Sequence, residues 1–323
     1  MATSNFGYRS TALDVVSGIN LSNKNAIVTG GYSGIGIETV VALATAGANV
    51  TIAGRDLSRA ERTADELNSK GLLGVVDAMS LDLGSLQSVK GFVESYCASH
   101  ASLEILVNNA GVMACPFETT TDGFELQFGT NHIGHYALSR LLLPLLLNAE
   151  SARVVCLSST GHMISPVIFD DINFSQRKYD AWSSYGQAKT ANSLTAVALQ
   201  QLYGSKGVDA FAVHPGGIMT SLQRHMEQKD IEARGWVDAE GNINERFKTV
   251  EQGASTSTWA ATASELTAKG GVYLEDCDFA EVVASRPDYP KGVIAYAVDS
   301  EAARQLWQIS ESMILDKFSD YFA

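Results

Sequence analysis

Short β-branched runs alternate with longer helical patterns along most of the chain. Asn25–Thr29 (NAIVT) and residues 49–53 (NVTIA) have strand character, and 33–46 between them has helical length with small apolar residues. Residues 56–69 read as a charged, solvent-facing helix that starts at an Asp cap. A third strand is predicted over 74–80, a helix over 85–99 and a fourth strand over 104–108 (EILVN). Residues 122–147 form one long helical pattern, followed by a fifth strand over 153–157 (RVVCL). Then come a helix over 184–203, a sixth strand over 208–213, a short last strand over 271–273 and a helix over Ser300–Leu315.

Strands that are nearly all apolar, each followed by a helix, predict an α/β fold: a doubly wound parallel sheet with helices on both faces. No solenoid period and no Gly/Ser-rich or Pro-rich linker interrupts the rhythm. The chain therefore reads as one domain over 21–323 behind an N-terminal extension of 1–20. Residues 221–248 are polar, charged and weakly periodic. They follow the carboxyl end of the sixth strand, where open α/β sheets bind ligands, so a substrate lid is expected there.

Composition narrows the function. Of 323 residues, 46% are apolar and 18% charged, enough for a sizeable core and unlike a disordered chain. The net charge of −13 repels phosphate backbones and anionic lipid, which argues against nucleic-acid and membrane-surface partners. Four scattered cysteines (Cys97, Cys115, Cys156, Cys277) form no zinc-ligand spacing and read as buried thiols in a reducing cytoplasm. The first 25 residues lack the apolar core of a signal peptide. The greasiest run, 141–147, contains Pro144 and falls far short of the roughly 20 residues that span a bilayer. It is expected to face the core or a second subunit, which leaves a homo-oligomer open. His132, His135, His162 and His214 show no metal spacing, and Trp259 and Trp307 read as packing anchors.

The first strand runs into Thr29-Gly30-Gly31-Tyr32-Ser33-Gly34-Ile35-Gly36 and then into a helix. Gly30, Gly34 and Gly36 allow a tight turn and a close backbone approach to a diphosphate at the helix N-terminus. At the end of the second strand an acid would bind a ribose 2′-hydroxyl, whereas Arg accommodates a 2′-phosphate. The sequence there is Ala53-Gly54-Arg55-Asp56, which favours NADP(H); the alternative is a surface Arg55 paired with Asp56. Farther on, Tyr185 and Lys189 share one helix face. A nearby ammonium is expected to lower the tyrosine pKa toward acid–base work near neutral pH.

Together these features resemble the short-chain dehydrogenase/reductase family and its Rossmann-type fold. The residues that carry the resemblance are the glycine loop, Asn108-Asn109-Ala110-Gly111, Ser158-Ser159, Tyr185-Gly186-Gln187-Ala188-Lys189 and Pro215-Gly216, in that order. Leu81-Asp82-Leu83, the 49–56 stretch and Tyr273-Leu274-Glu275-Asp276-Cys277 are similar to the retinol dehydrogenase-like branch. The resemblance implies an enzyme that interconverts a carbonyl and an alcohol by hydride transfer with a small-molecule substrate. Tyr185 is then the proton donor or acceptor, Ser159 (with Ser158 as competitor) holds the substrate oxygen, and Lys189 tunes Tyr185 and binds the nicotinamide ribose. Asn131 is implied in positioning a relay water. Gly30, Ser33, Gly34, Ile35, Gly36 and Arg55 are implied in cofactor binding, as are Asp82, Leu83, Asn109, Ala110 and Gly111. Pro215, Gly216, Ile218 and Thr220 would lie along the nicotinamide.

Two other readings use parts of the same pattern: a catalytically silent dinucleotide sensor, and a nucleotide-sugar epimerase or dehydratase. Ser159 and Tyr185 are 26 positions apart, about twice the family's usual spacing. The extra segment, 163–183, carries Phe169, Phe174, Tyr179 and Trp182. These aromatics and the 221–248 lid are expected to wall a pocket for a bulky, lipophilic or aromatic substrate.

Overall fold

In a computed structural model of the protein, structure is described for residues 4–238, 240–287, 290–315 and 318. The apolar runs become β1 (Asn25–Thr29), β2 (Asn49–Gly54), β3 (Val76–Ser80), β4 (Ile105–Asn108), β5 (Ala152–Leu157) and β6 (Val208–His214). β7 (Val272–Glu275) and β8 (Asp278–Phe279) complete one sheet in the order β3-β2-β1-β4-β5-β6-β7-β8. The first seven strands are parallel, and β8 turns back antiparallel on β7. The chain winds outward from β1 to β3 and then resumes beside β1 with β4. This reversal opens a crevice at the carboxyl edge of the sheet.

The helices are α1 (Ala12–Val16), α2 (Gly34–Thr45), α3 (Leu57–Asn68), α4 (Leu86–Cys97), α5 (Leu126–Phe128) and α6 (Gly134–Leu141). They continue with α7 (Leu143–Asn148), α8 (Ala181–Tyr203), α9 (Gln228–Ala233), α10 (Val250–Gly253), α11 (Ser255–Thr262) and α12 (Ser300–Leu315). Side chains alternate across each strand, so neighbours feed two separate cores. Ile27, Leu106, Val154 and Cys156 pack with α4, α6, α8 and α12. Val28, Val107, Val155 and Leu157 pack with α1, α2, α3 and α11. Every residue of β4 and β5 is buried, as a sheet covered on both faces requires.

Several expectations are corrected. The single helix predicted over 122–147 is three helices and a π turn, Gly129–Ile133. Asn131 lies in that turn, and Pro144, with no N–H, falls in the first turn of α7. The last strand runs one residue later and longer than 271–273. It closes in a hairpin because Asp276 and Cys277 adopt left-handed backbone, with φ of 51° and 56°. α8 starts at Ala181 because the Asp180 side chain accepts from Ser183 N at 2.7 Å. Cys97 is exposed on α4, unlike the other three thiols. In the 141–147 run, five of the seven residues are buried in the first core, and Leu147 is exposed. The N-terminal residues are part of the packing: Ala12, Val15 and Val16 are buried in the second core. Among the described residues, no helix is long and apolar enough to cross a membrane.

Candidate active site

The β1–α2 loop shows why its glycines stand where they do. Gly30 and Gly34 hold left-handed backbone, with φ of 66° and 54°. A Cβ on Gly36 would meet Asn109 Nδ2 and the Gly30 carbonyl at 2.6 Å each. Gly36 thus packs the turn against the β4 loop and does not border the cavity, whereas Gly30, Ser33, Gly34 and Ile35 do. Ser33 leads α2 without a side-chain cap, so the first helical N–H groups remain available at the positive end of the helix dipole. That is the arrangement a diphosphate needs.

A cavity of about 1140 Å³ extends from Arg55 and Arg59, past this loop, to Ser159, Tyr185 and Lys189. Among the described residues Asp56 makes no ion pair with Arg55, and its Oδ1 caps α3. It accepts from Arg59 N at 3.1 Å and Ser58 Oγ at 3.0 Å, and these bonds hold its pKa below the ordinary carboxylate value. The Arg59 guanidinium lies over the Tyr32 ring at 5.4 Å, and Tyr32 packs directly on Gly54. Asp82 and Leu83 border the same end of the cavity, and the Asp82 carboxylate is steadied by Gly84 N at 2.9 Å.

Thr29 ties β1 to the loop after β4: its hydroxyl accepts from Asn109 N and Ala110 N, both at 2.9 Å. Asn109, Ala110 and Gly111 border the cavity. Asn131 is fully buried and does not. Its amide accepts from Val112 N at 2.8 Å and donates to Val112 O at 2.9 Å, bracing that loop.

The two serines after β5 are resolved by their partners. Ser158 Oγ donates to Lys189 O at 2.9 Å and is buried. Ser159 Oγ accepts from Gly161 N at 3.0 Å, and the Tyr185 ring packs on the same Gly161. Burial pushes the Tyr185 phenol up to about 12, with the Ser159 contact acting the other way. Lys189 Nζ lies 5.7 Å from the Tyr185 ring centroid and donates to Leu157 O at 2.9 Å. Burial lowers Lys189 to about 8. The expected lowering of the tyrosine by the ammonium is therefore not what dominates at this site. Both groups are desolvated, which penalises phenolate and ammonium alike.

His162 fixes the Ser159 backbone. Its Nδ1 is 2.7 Å from Ser159 O, and its Nε2 accepts from Ile294 N at 3.1 Å, so the ring is neutral with the proton on Nδ1. Burial lowers its pKa to about 4. Among the described residues no group of His, Cys, Asp and Glu could hold a metal. Pro215, Gly216, Ile218 and Thr220 border the cavity, Thr220 lying against Gly34 of the glycine loop. Gly216 (φ 101°) lies under the Lys248 stem, whose Nζ pairs with Asp276 Oδ1 at 2.7 Å.

The expected aromatic wall is only half present. Phe169, Phe174, Tyr179 and Trp182 do not border the cavity. Phe174 is buried against Tyr179 and Arg177, and Tyr179 donates to Cys115 O at 2.9 Å, so 163–181 clamps the loops around α5. Trp182 stands behind the wall, its ring edge-on to Tyr185 at 6.2 Å between centroids. The 221–248 segment does line the cavity, with Leu222, Arg224, Arg234, Trp236 and Phe247. Sequence reasoning missed Tyr8, Tyr32 and Arg59, which also border it. Arg59 had a visible signal, being one helical turn beyond Arg55. Tyr8 had none, because it reaches the site only through the fold of the N-terminal strand of chain.

Known proteins are similar to this chain in sequence and fold. A Streptomyces antibioticus protein named Probable oxidoreductase is 42% identical over 90% of this chain and 97% of its own. Mouse Retinol dehydrogenase 12 is 37% identical over 90% of this chain and 86% of its own. A crystal structure of an uncharacterized protein from Mycobacterium paratuberculosis superposes with a TM-score of 0.70 at 30% identity, covering 94% of this chain and 97% of that one. The short chain dehydrogenase family model matches residues 24–231. The chain belongs to the short-chain dehydrogenase/reductase family of oxidoreductases, in its retinol dehydrogenase-like branch.

Proposed function

We propose that the protein is an NADP(H)-dependent reductase or dehydrogenase that interconverts a lipophilic ketone or aldehyde and its alcohol. One observation carries the reading. The Ser159 hydroxyl, the Tyr185 phenol and the Lys189 ammonium converge at one end of a single cavity whose other end presents Arg55 and Arg59 with the nearby carboxylate, Asp56, already engaged. The guanidiniums suit a 2′-phosphate, and the uncapped start of α2 suits the diphosphate. A bound nicotinamide supplies or accepts the hydride.

The chain's own residues handle the proton. A phenol with a pKa near 12 is fully protonated at neutral pH and can donate to the oxygen of a carbonyl under reduction. Ser159 Oγ, which shares the Gly161 turn with the Tyr185 ring, would hold that same oxygen. Lys189, charged below about pH 8, adds positive potential beside the developing alkoxide and a donor for a ribose hydroxyl. Asn131 and His162 act through others, the first by holding Val112 and the second by holding the Ser159 carbonyl. Met113, Leu157, Leu222, Trp236 and Phe247 give the reacting end an apolar lining suited to a bulky substrate.

The test is NADPH oxidation with a panel of aryl and alkyl aldehydes and ketones, using wild type and Tyr185→Phe. Tyr185→Phe should bind NADPH normally and lose about 10²–10⁴-fold in kcat. A variant that keeps a third of wild-type kcat refutes the assignment. Binding of NADPH with no turnover of any carbonyl would support the silent-sensor reading instead.

A further inference from the structure

The 221–248 segment sorts its charges. It contains six carboxylates, and none borders the cavity, whereas Arg224, Arg234 and Arg246 all do. In a chain with a net charge of −13, a cationic inner face on the lid is not a consequence of composition. Arg234 is the best held of the three. Its guanidinium stacks on the Trp182 ring at 3.9 Å and lies 5.8 Å from the centroid of Trp236. Trp182 and Trp236 meet edge to face at 6.3 Å, and Trp182 is in turn edge-on to Tyr185. Arg234 is thus one aromatic ring removed from the proton donor. Among the described residues it makes no ion pair.

Four carboxylates of the cavity have partners of their own, Asp82 among them through Gly84 N. Asp276 pairs with Lys248, Glu275 accepts from Gly292 N at 2.8 Å, and Asp56 caps α3. Glu118 lies beside Cys115, on whose thiol Arg224 also acts. Stacking on indole orients a guanidinium flat and leaves its edge N–H groups free for a planar oxyanion. The cofactor's phosphates do not account for this residue, because the glycine loop and the Arg55–Arg59 pair lie at the other end of the cavity.

We propose that Arg234 anchors an anionic group of the substrate, a carboxylate carried across an apolar or aromatic body from the reacting carbonyl. The inference rests on the carbonyl–alcohol reading above and adds the substrate's charge to it. Trp236 and Phe247, 5.9 Å apart, flank the body of such a molecule.

The probes are 4-formylbenzoate and 4-(4-formylphenyl)benzoate, which set the carboxylate one or two rings from the aldehyde, each compared with its methyl ester. Wild type should prefer the free acid at one of the two lengths. Arg234→Met should raise KM for that acid about 2- to 5-fold more than for its methyl ester, the span of a solvent-exposed ion pair. Arg234→Lys should restore part of the preference. Equal kcat/KM for acid and ester at both lengths overturns the proposal, as does an Arg234→Met variant that weakens both alike. Quenching of tryptophan fluorescence by the same acids separates the two levels. Arg234-dependent acid binding without turnover keeps the anchor and sinks the reductase reading. Ester turnover without acid preference does the reverse.

Discussion

Replacing Lys189 with Met should make the ligand-free protein more stable and the enzyme inactive. Lys189 is buried on α8 with a pKa of about 8 against an ordinary 10.5. That gap corresponds to on the order of 3 kcal/mol of disfavoured ammonium at neutral pH. Met matches the length of the lysine stem without the charge. The hydrogen bond lost, Lys189 Nζ to Leu157 O, contributes about 1 kcal/mol. Its acceptor is not orphaned, because Asn192 Nδ2 donates to the same carbonyl at 2.9 Å. The net gain is about 2 kcal/mol at pH 7, or roughly 3 °C in Tm for a chain of 323 residues. The sign with pH is distinctive. Between about pH 8 and 10.5 the unfolded chain binds more protons than the folded one, so wild-type stability rises with pH through that window. The advantage of Lys189→Met should therefore be full below pH 8 and gone by about pH 10. Thermal denaturation of both proteins across pH 6–10, without cofactor, measures it. Equal Tm values throughout, or a less stable variant at pH 7, would refute the claim that Lys189 is held there against its desolvation.

The remaining predictions probe the cofactor, the lid and the aromatic insert. Arg55→Asp should raise KM for NADPH about 10- to 100-fold and favour NADH, measured by kinetics with both cofactors; a wild type that already prefers NADH contradicts the reading of Arg55. Gly54→Asp is not equivalent, because the new side chain meets Tyr32, so it should weaken both cofactors. Arg9 donates to Glu245 O at 2.7 Å, Phe247 O at 3.1 Å and Gln252 Oε1 at 3.2 Å, so Arg9→Ala should loosen the base of the lid. Faster limited proteolysis within 221–248 and a several-fold higher substrate KM, at nearly constant Tm, are the expected readouts. Phe174→Ala should cost about 3–5 kcal/mol of stability and lower kcat/KM equally for large and small carbonyl compounds, since Phe174 packs behind the cavity. A selective loss on large substrates would return 163–183 to the substrate wall.

The α/β rhythm was legible because buried parallel strands are short and almost wholly apolar, and six of them stand apart from their helices in the sequence. The glycine loop and the Tyr185–Lys189 pair were legible for a similar reason. Each depends on contiguous chain in one turn or one helix face, and spacing alone sets which atoms meet. Local sequence could not separate Ser158 from Ser159, because only the neighbouring α8 takes up the first hydroxyl. It could not break the 122–147 pattern at the right places either, since the π turn is stabilised by Asn131 reaching back to Val112.

Sequence by itself determined the strands of the sheet, the glycine loop and the shared helix face of Tyr185 and Lys189, all of which rest on short-range periodicity and backbone conformation. Tertiary structure decided the electrostatics and the walls. The Tyr185 and Lys189 pKa values depend on how completely other elements exclude water from them. Which segment lines the pocket depends on which packs against the core. Phe174 and Tyr179 pack on Arg177, Cys115 and the loops around α5, Trp182 backs Arg234, and the cavity is left to Arg234, Trp236 and Phe247. Long-range packing of that kind, like the reach of Tyr8 across to the lid, leaves no periodic trace in the chain that carries it.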